Sequence, residues 1–203
     1  MSSKTFSIIG AILGIFALGG QLWLILVNRT MSIPATIVEY CSYFTILCNG
    51  IVTLCYFSNL GLGSFFSKPK VQAAALLYIT VVGLVYNIIL RQLWSPKGLQ
   101  LVVDELLHTV NPILYMIYWW RYAKKNILQW KDVFQWLLFP LCYVTYVFIR
   151  GSITNLYPYP FMNVVQLGYP RVFFNSFLVF AVFLFISALI IWIAKMRTAI
   201  VAN

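Results

Sequence analysis

Six long apolar runs alternate with short polar segments along this chain. A helix needs about 20 residues to cross a hydrocarbon layer about 30 Å thick. Runs at 5–27, 35–59, 71–90, 101–120, 133–149 and 172–194 come close to that length. The pattern predicts an all-α polytopic integral membrane protein, with residues 1–203 forming a single six-helix transmembrane domain. Turn chemistry separates the runs: Asn28, Arg29 and Pro34; Gly61, Gly63, Lys68 and Pro69; then Trp94 to Gly98. The first run is longer than the apolar core of a signal peptide, roughly 7–15 residues, and is read as an uncleaved helix. The chain shows no period of 20–50 residues and no clear inverted repeat, which weakens a transporter reading.

Some positions interrupt the apolar pattern. Gly10 and Gly14 form a G-x-x-x-G pair, which lets a neighbouring backbone come close. Pro112 deletes the backbone bond to the carbonyl of His108, and Pro140 sits near the middle of the fifth run. The longest connection, 150–171, is rich in Pro, Tyr and Gly, which argues against continuous helix there. Its aromatics suit a membrane interface.

Composition sharpens the class. The 203 residues are 62% hydrophobic and 9% charged, too little polar surface for a soluble domain of this length. The net charge of +10 does not point to nucleic acid, because the bases lie in loops that flank apolar runs. With six spans, nine basic residues fall on the side of the termini, at Lys4, Lys68, Lys70, Arg121, Lys124, Lys125, Lys131, Lys195 and Arg197. Five fall on the other side, at Arg29, Arg91, Lys97, Arg150 and Arg171. The excess of bases predicts that both termini are cytoplasmic. Cys41, Cys48, Cys55 and Cys142 lie in apolar segments without a C-x-x-C, so buried packing is expected of them rather than a metal site or disulfides.

The candidate chemistry is concentrated in Asp104–Trp120. His108 is the only histidine, and it lies about two turns inside an apolar run. An ionisable ring at that depth is expensive and marks a candidate functional site. Asp104 is one turn before it on the same face and could orient the ring. In the second run Thr45 and Asn49 share a face bordered by Cys41 and Cys48. That stripe is either a tight helix interface or the wall of a polar cavity. At ~1.5 Å per residue from the same side, Thr45 and His108 reach comparable depths.

Thr45 as nucleophile, His108 as base and Asp104 as orienting acid would follow the logic of acyl transfer. Asn49 and Asn111 are candidate donors to an oxyanion, with Ser42 a weaker one. The alternative is a histidine bonded to a carbonyl inside a helix bundle, with Thr45 packing at an interface. Glu39 and Glu105 lie near the outer boundary, where Arg150 and Arg171 are offered as partners.

Three separated motifs, SYFTILCN, DELLHTVNP and RGSITNLYPYPF with the following GYP, resemble the bacterial six-helix membrane family labelled Pr-six-Pr. The resemblance covers about 39–175 and implies a multi-pass protein of the bacterial cytoplasmic membrane. That family is similar in turn to the androgen-induced-gene and androgen-dependent TFPI-regulating proteins. Those are six-helix hydrolases of fatty acid esters of hydroxy fatty acids that use an intramembrane threonine and histidine. By motif position the resemblance implies Thr45 as nucleophile and His108 as base.

The expected activity is therefore hydrolysis of a membrane lipid or acyl-chain ester, with no cofactor or metal implied. Tyr157, Pro158, Tyr159 and Pro160 would form an outer-loop lid over the entrance. The rival expectation is a non-catalytic lipid-binding or scaffolding bundle, and a small-solute transporter is a third.

Overall fold

The computed structural model describes the backbone of residues 1–202 and the side chains of 1–198. Every regular element among them is helical. The chain divides into two compact units, Met1–Ile127 and the segment from Leu128 onward.

The first unit starts with α1 (Ser3–Val27), capped by the Ser2 hydroxyl, which accepts from the Thr5 N–H. Helix α2 (Ile33–Cys41) carries Pro34 in its first turn, where its missing N–H has no intrahelical role. Helix α3 (Phe44–Asn59) follows after a bend of 70°. The expected continuous helix over 35–59 is therefore broken between Cys41 and Phe44. No proline or glycine causes the break. The Ser42 N–H turns back to the Glu39 and Tyr40 carbonyls, and its hydroxyl donates to the Val38 carbonyl at 2.6 Å. Tyr40 meanwhile donates to the Leu18 carbonyl and ties α2 to α1.

Helix α4 (Pro69–Val85) continues through a π turn (Tyr86–Leu90) and a 3-10 turn (Arg91–Leu93). Gly98, with φ 58°, sets the entry to α5 (Leu99–Glu105). A second π turn (Leu106–Val110) joins α5 to α6 (Asn111–Tyr122) without a break in helical backbone. The C-terminal carbonyls of α6 are capped by the Lys125 ammonium, which donates to Trp119, Trp120 and Ala123 and lies 4.5 Å from the Trp119 ring centre.

Helix α1 packs along α3, and the glycine pair sits at that contact. A Cβ at Gly10 would overlap the Tyr56 ring, and one at Gly14 would overlap the Thr53 hydroxyl. Tyr56 meets Tyr115 and Tyr118 edge-on, and those two rings stack on each other, with ring centres 5.2 to 5.6 Å apart. A second core of Ala17, Leu24, Tyr40, Ile46, Val103 and Leu107 fills the space among α1, α2, α3 and α5.

The second unit holds α7 (Asp132–Thr154) and α8 (Val164–Ala202). Helix α7 extends past the expected end at 149 to Thr154, where Asn155 closes it in the left-handed conformation. Helix α8 begins well before the expected 172. It kinks at Gly168, whose φ of 71° only glycine adopts without strain. The connection between them is thus shorter than the sequence pattern implied.

Four helical stretches are long and apolar enough to cross a membrane: Ser3–Val27, Pro69–Leu93, Asp132–Thr154 and Val164–Thr198. The broken pair α2–α3 makes a fifth if it is one span. The helical stretch from Leu99 to Tyr122 is not among them; Asp104, Glu105, His108 and Asn111 dilute its apolar character. The outer faces are rich in large apolar side chains, with Ile8, Ile12, Phe16 and Trp23 of α1 all exposed. So many exposed apolar groups mark a surface made for lipid or a partner.

Candidate functional site

The candidate site forms where the end of α4 meets the junction of α5 and α6. Gly83 makes the approach possible. A Cβ there would lie 3.2 Å from the Pro112 ring and 3.3 Å from the His108 carbonyl oxygen. Pro112 leaves that carbonyl without its helical donor, and the Asn87 amide replaces it at 3.1 Å. Asn87 also donates to the Gly83 carbonyl, while its Oδ1 accepts from Arg91 Nε at 2.9 Å. One side chain therefore bridges α4 to the π turn that carries His108.

The His108 ring is held on three sides. Its Nδ1 lies 2.9 Å from the Asp104 backbone carbonyl and 3.3 Å from the Asp104 carboxylate. Tyr86 stacks on the ring, 3.9 Å between centres and 14° between planes. Its hydroxyl donates to the other Asp104 oxygen, so carboxylate, phenol and imidazole form one connected group. Trp94 extends the chain by donating to the Tyr86 hydroxyl at 3.3 Å. Both acceptors around Nδ1 call for a proton on that nitrogen, which leaves the Nε2 lone pair available as a base. Among the described residues Nε2 has no hydrogen-bond partner. The His108 side chain is 14% exposed, and Asp104 is 2% exposed.

Thr45 is buried in the first turn of α3, just past the break. One turn later, the Asn49 amide donates to the Thr45 carbonyl at 2.9 Å and to the Leu107 carbonyl at 3.1 Å. That second bond fixes the start of α3 against the π turn at the residue preceding His108. Asn49 Oδ1 in turn accepts from Asn111 at 2.9 Å. Both amide protons of Asn49 are thus committed to backbone carbonyls, and Asn111 keeps the one amide proton not used in this network. Ser42 bonds within its own turn.

Several expected placements change. Glu105 is held by Arg91, at 2.6 Å, and not by the loop arginines 150 and 171 that sequence reasoning offers. Arg91 also reaches Thr109 and lies over the Tyr86 ring. Cys48 and Cys55 are buried, whereas Cys41 and Cys142 are exposed because they face outward from their helices. Tyr157 to Pro160, the residues expected to form a lid, belong to the second unit. Tyr157 covers Gly151, Tyr159 stacks on Phe161, and Asn175 donates to the Phe161 carbonyl.

Sequence reasoning passed over Tyr86, Asn87, Arg91 and Trp94. Asn87 and Arg91 did offer a signal. They are polar residues four apart at the end of an apolar run, at a level where Glu105 and Thr109 need partners.

Comparisons with protein-family models, curated proteins and solved structures give no match for this chain.

Proposed function

We propose that this chain is a six-span membrane protein, with both termini cytoplasmic, that hydrolyses a lipid ester. The observation that carries this reading is the His108 ring: Nδ1 faces Asp104, Tyr86 packs on its face and Nε2 is open. A buried histidine serving only to tie helices together has no need of an open nitrogen. Thr45 is the nucleophile. It lies on the α3 turn next to the one that Asn49 clamps to Leu107.

In the proposed reaction Thr45 Oγ1 attacks the ester carbonyl carbon while His108 Nε2 takes the hydroxyl proton. The tetrahedral intermediate collapses, the alcohol leaves with the proton from Nε2, and the acyl group stays on Thr45. Water then attacks the acyl-threonine, giving one proton to Nε2, which returns it to Thr45 Oγ1 as the fatty acid departs. Asp104 stabilises the imidazolium formed in each half, and Tyr86 holds Asp104 in place. Threonine is inert without such a base. Asn111, with its unused amide proton, is the better oxyanion donor of the two amides. Fatty acid esters of hydroxy fatty acids or related acyl lipids are the proposed substrates.

The test is covalent labelling of the detergent-solubilised protein by a fluorophosphonate. Wild type is expected to label, and Thr45→Ala and His108→Ala, each eluting as folded protein, to lose the label. Persistent labelling of Thr45→Ala would move the nucleophile elsewhere. An unlabelled wild type with an intact fold would favour the lipid-binding bundle. The same amide network supports that second reading, because Asn49 spends both protons on helix carbonyls.

A further inference from the structure

A cleft of about 390 Å³ opens at the C-terminal end of α1, where the apolar helix gives way to the 28–32 loop. Its lining mixes charged, amide and aromatic side chains. Arg29 and Glu39 bring opposite charges to it, Gln21 and Gln100 bring carboxamides, and Tyr43 and Trp94 bring aromatic faces. The two charges do not neutralise each other: among the described residues neither Arg29 nor Glu39 takes part in an ion pair. Arg29 spends one N–H on the Leu26 carbonyl and has the rest of its guanidinium exposed, while Glu39 is half-buried. A cleft of this size with a few convergent polar groups is of ligand-site dimensions.

The cleft also touches both halves of the candidate site. Trp94, on its wall, donates to the Tyr86 hydroxyl that holds Asp104. Tyr43, also on its wall, is two residues before Thr45 and caps the helix that carries it. A molecule seated in the cleft is therefore next to the elements that present the nucleophile and the base.

We infer that this cleft receives the zwitterionic headgroup of a phospholipid, placing its acyl ester toward the Thr45–His108 elements. The placement of the ester rests on the hydrolase reading; recognition of the headgroup does not. A fork of guanidinium donors suits a phosphate. A carboxylate and two aromatic side chains lining one cleft suit a quaternary ammonium, which gains from the negative charge and the ring quadrupoles. Trp23, Ile33 and Ile37, exposed apolar residues on two helices that contribute to the cleft, would lie against the acyl chains of neighbouring lipids.

The experiment measures binding to the full chain in maltoside micelles by titration calorimetry. The probes are a short-chain diether phosphocholine, a matching diether phosphoglycerol and free glycerophosphocholine. Ether linkages cannot be hydrolysed, so the result stands whatever the labelling experiment finds. The diether phosphocholine is expected to bind about tenfold more tightly than the phosphoglycerol. Glu39→Gln should erase that preference, and Arg29→Gln should weaken both lipids. Both variants change groups outside the packed core and are checked for unchanged elution. Equal or tighter binding of the phosphoglycerol would overturn the inference, as would a preference that survives Glu39→Gln. Glycerophosphocholine should bind more weakly than the diether. If it binds equally well, the site belongs to a soluble zwitterion and the lipid assignment falls.

Discussion

His108 is the only histidine in the chain, so a protein labelled with ¹⁵N-histidine gives a single pair of ring nitrogens. The structure predicts a proton on Nδ1 and a bare Nε2, because Nδ1 faces two acceptors on Asp104. In Asp104→Asn the backbone carbonyl remains, so the same tautomer should persist in the nitrogen spectrum. If the chain is the proposed hydrolase, turnover in that variant should fall about 100-fold or more, since the imidazolium loses its carboxylate. A tautomer that switches in the variant would show that the carboxylate, not the carbonyl, sets the ring.

Asn49 makes a second prediction at this scale. It is 1% exposed and serves the Leu107 carbonyl and the Asn111 amide together. Asn49→Ala strands both, and should cost about 2 kcal/mol or more, read as a lower unfolding midpoint in mild denaturant. A variant as stable as wild type but inactive would instead give Asn49 the oxyanion role.

At the scale of elements, the sequence pattern located the apolar helices well and the irregular turns poorly. The first and third runs became helices close to their expected bounds, because length and hydropathy dominate there. The α2–α3 break was not legible. It depends on Ser42 bonding back within its turn and on Tyr40 reaching Leu18, and neither leaves a proline or glycine signature. The π turns at 86–90 and 106–110 were equally hidden, although Pro112 correctly marked a carbonyl in need of a new donor. Asp104 and His108 were legible as a pair because four-residue spacing puts them on one helix face. Tyr86 and Asn87 were not, because their role arises from an inter-helix approach that local spacing does not encode.

The packing of α1 on α3 supplies a controlled comparison between two glycines of one helix. At Gly14 an added methyl meets the Thr53 hydroxyl, and at Gly19 it meets nothing within 4 Å. Gly14→Ala should destabilise by about 1–3 kcal/mol through overpacking. Gly19→Ala should leave stability unchanged or raise it by up to about 1 kcal/mol, as expected for glycine replaced by alanine in a helix interior. Thermal unfolding of both variants in the same detergent checks the pair, and equal effects would mean that α1 is not seated on α3 through Gly14.

For the whole molecule the number of crossings fixes the parity of the termini. Five crossings put the termini on opposite sides of a membrane, and six put them on the same side. With the bent pair α2–α3 counted as one crossing, the difference rests on the helical stretch from Leu99 to Tyr122, which at ~1.5 Å per residue is about 35 Å long, enough to cross. Its composition argues against insertion, since Asp104, Glu105, His108 and Asn111 are costly in hydrocarbon. Its packing argues for it. Tyr86 and His108 meet Asp104, Arg91 meets Glu105, Asn49 meets Asn111 and Asn87 meets the free His108 carbonyl. With Asp104, Glu105, Asn111 and the His108 carbonyl each met by a partner within the first unit, the stretch can be inserted alongside α3 and α4, though it would not be stable alone. The distribution of bases then favours termini on the cytoplasmic side. Reporter fusions at each end, one active only inside and one only outside, should give the inside signal at both termini. Removing the helix partners by the double variant Asn87→Ala, Arg91→Ala should make the 99–122 stretch the first to lose its crossing. That loss would appear as an outside signal from the C-terminal reporter while the N-terminal one stays inside. An outside C-terminal signal in the wild type would mean an odd number of crossings and reject the six-span reading, and with it the parallel entry of Thr45 and His108 from one face, whether the 99–122 stretch or the bent α2–α3 pair fails to cross.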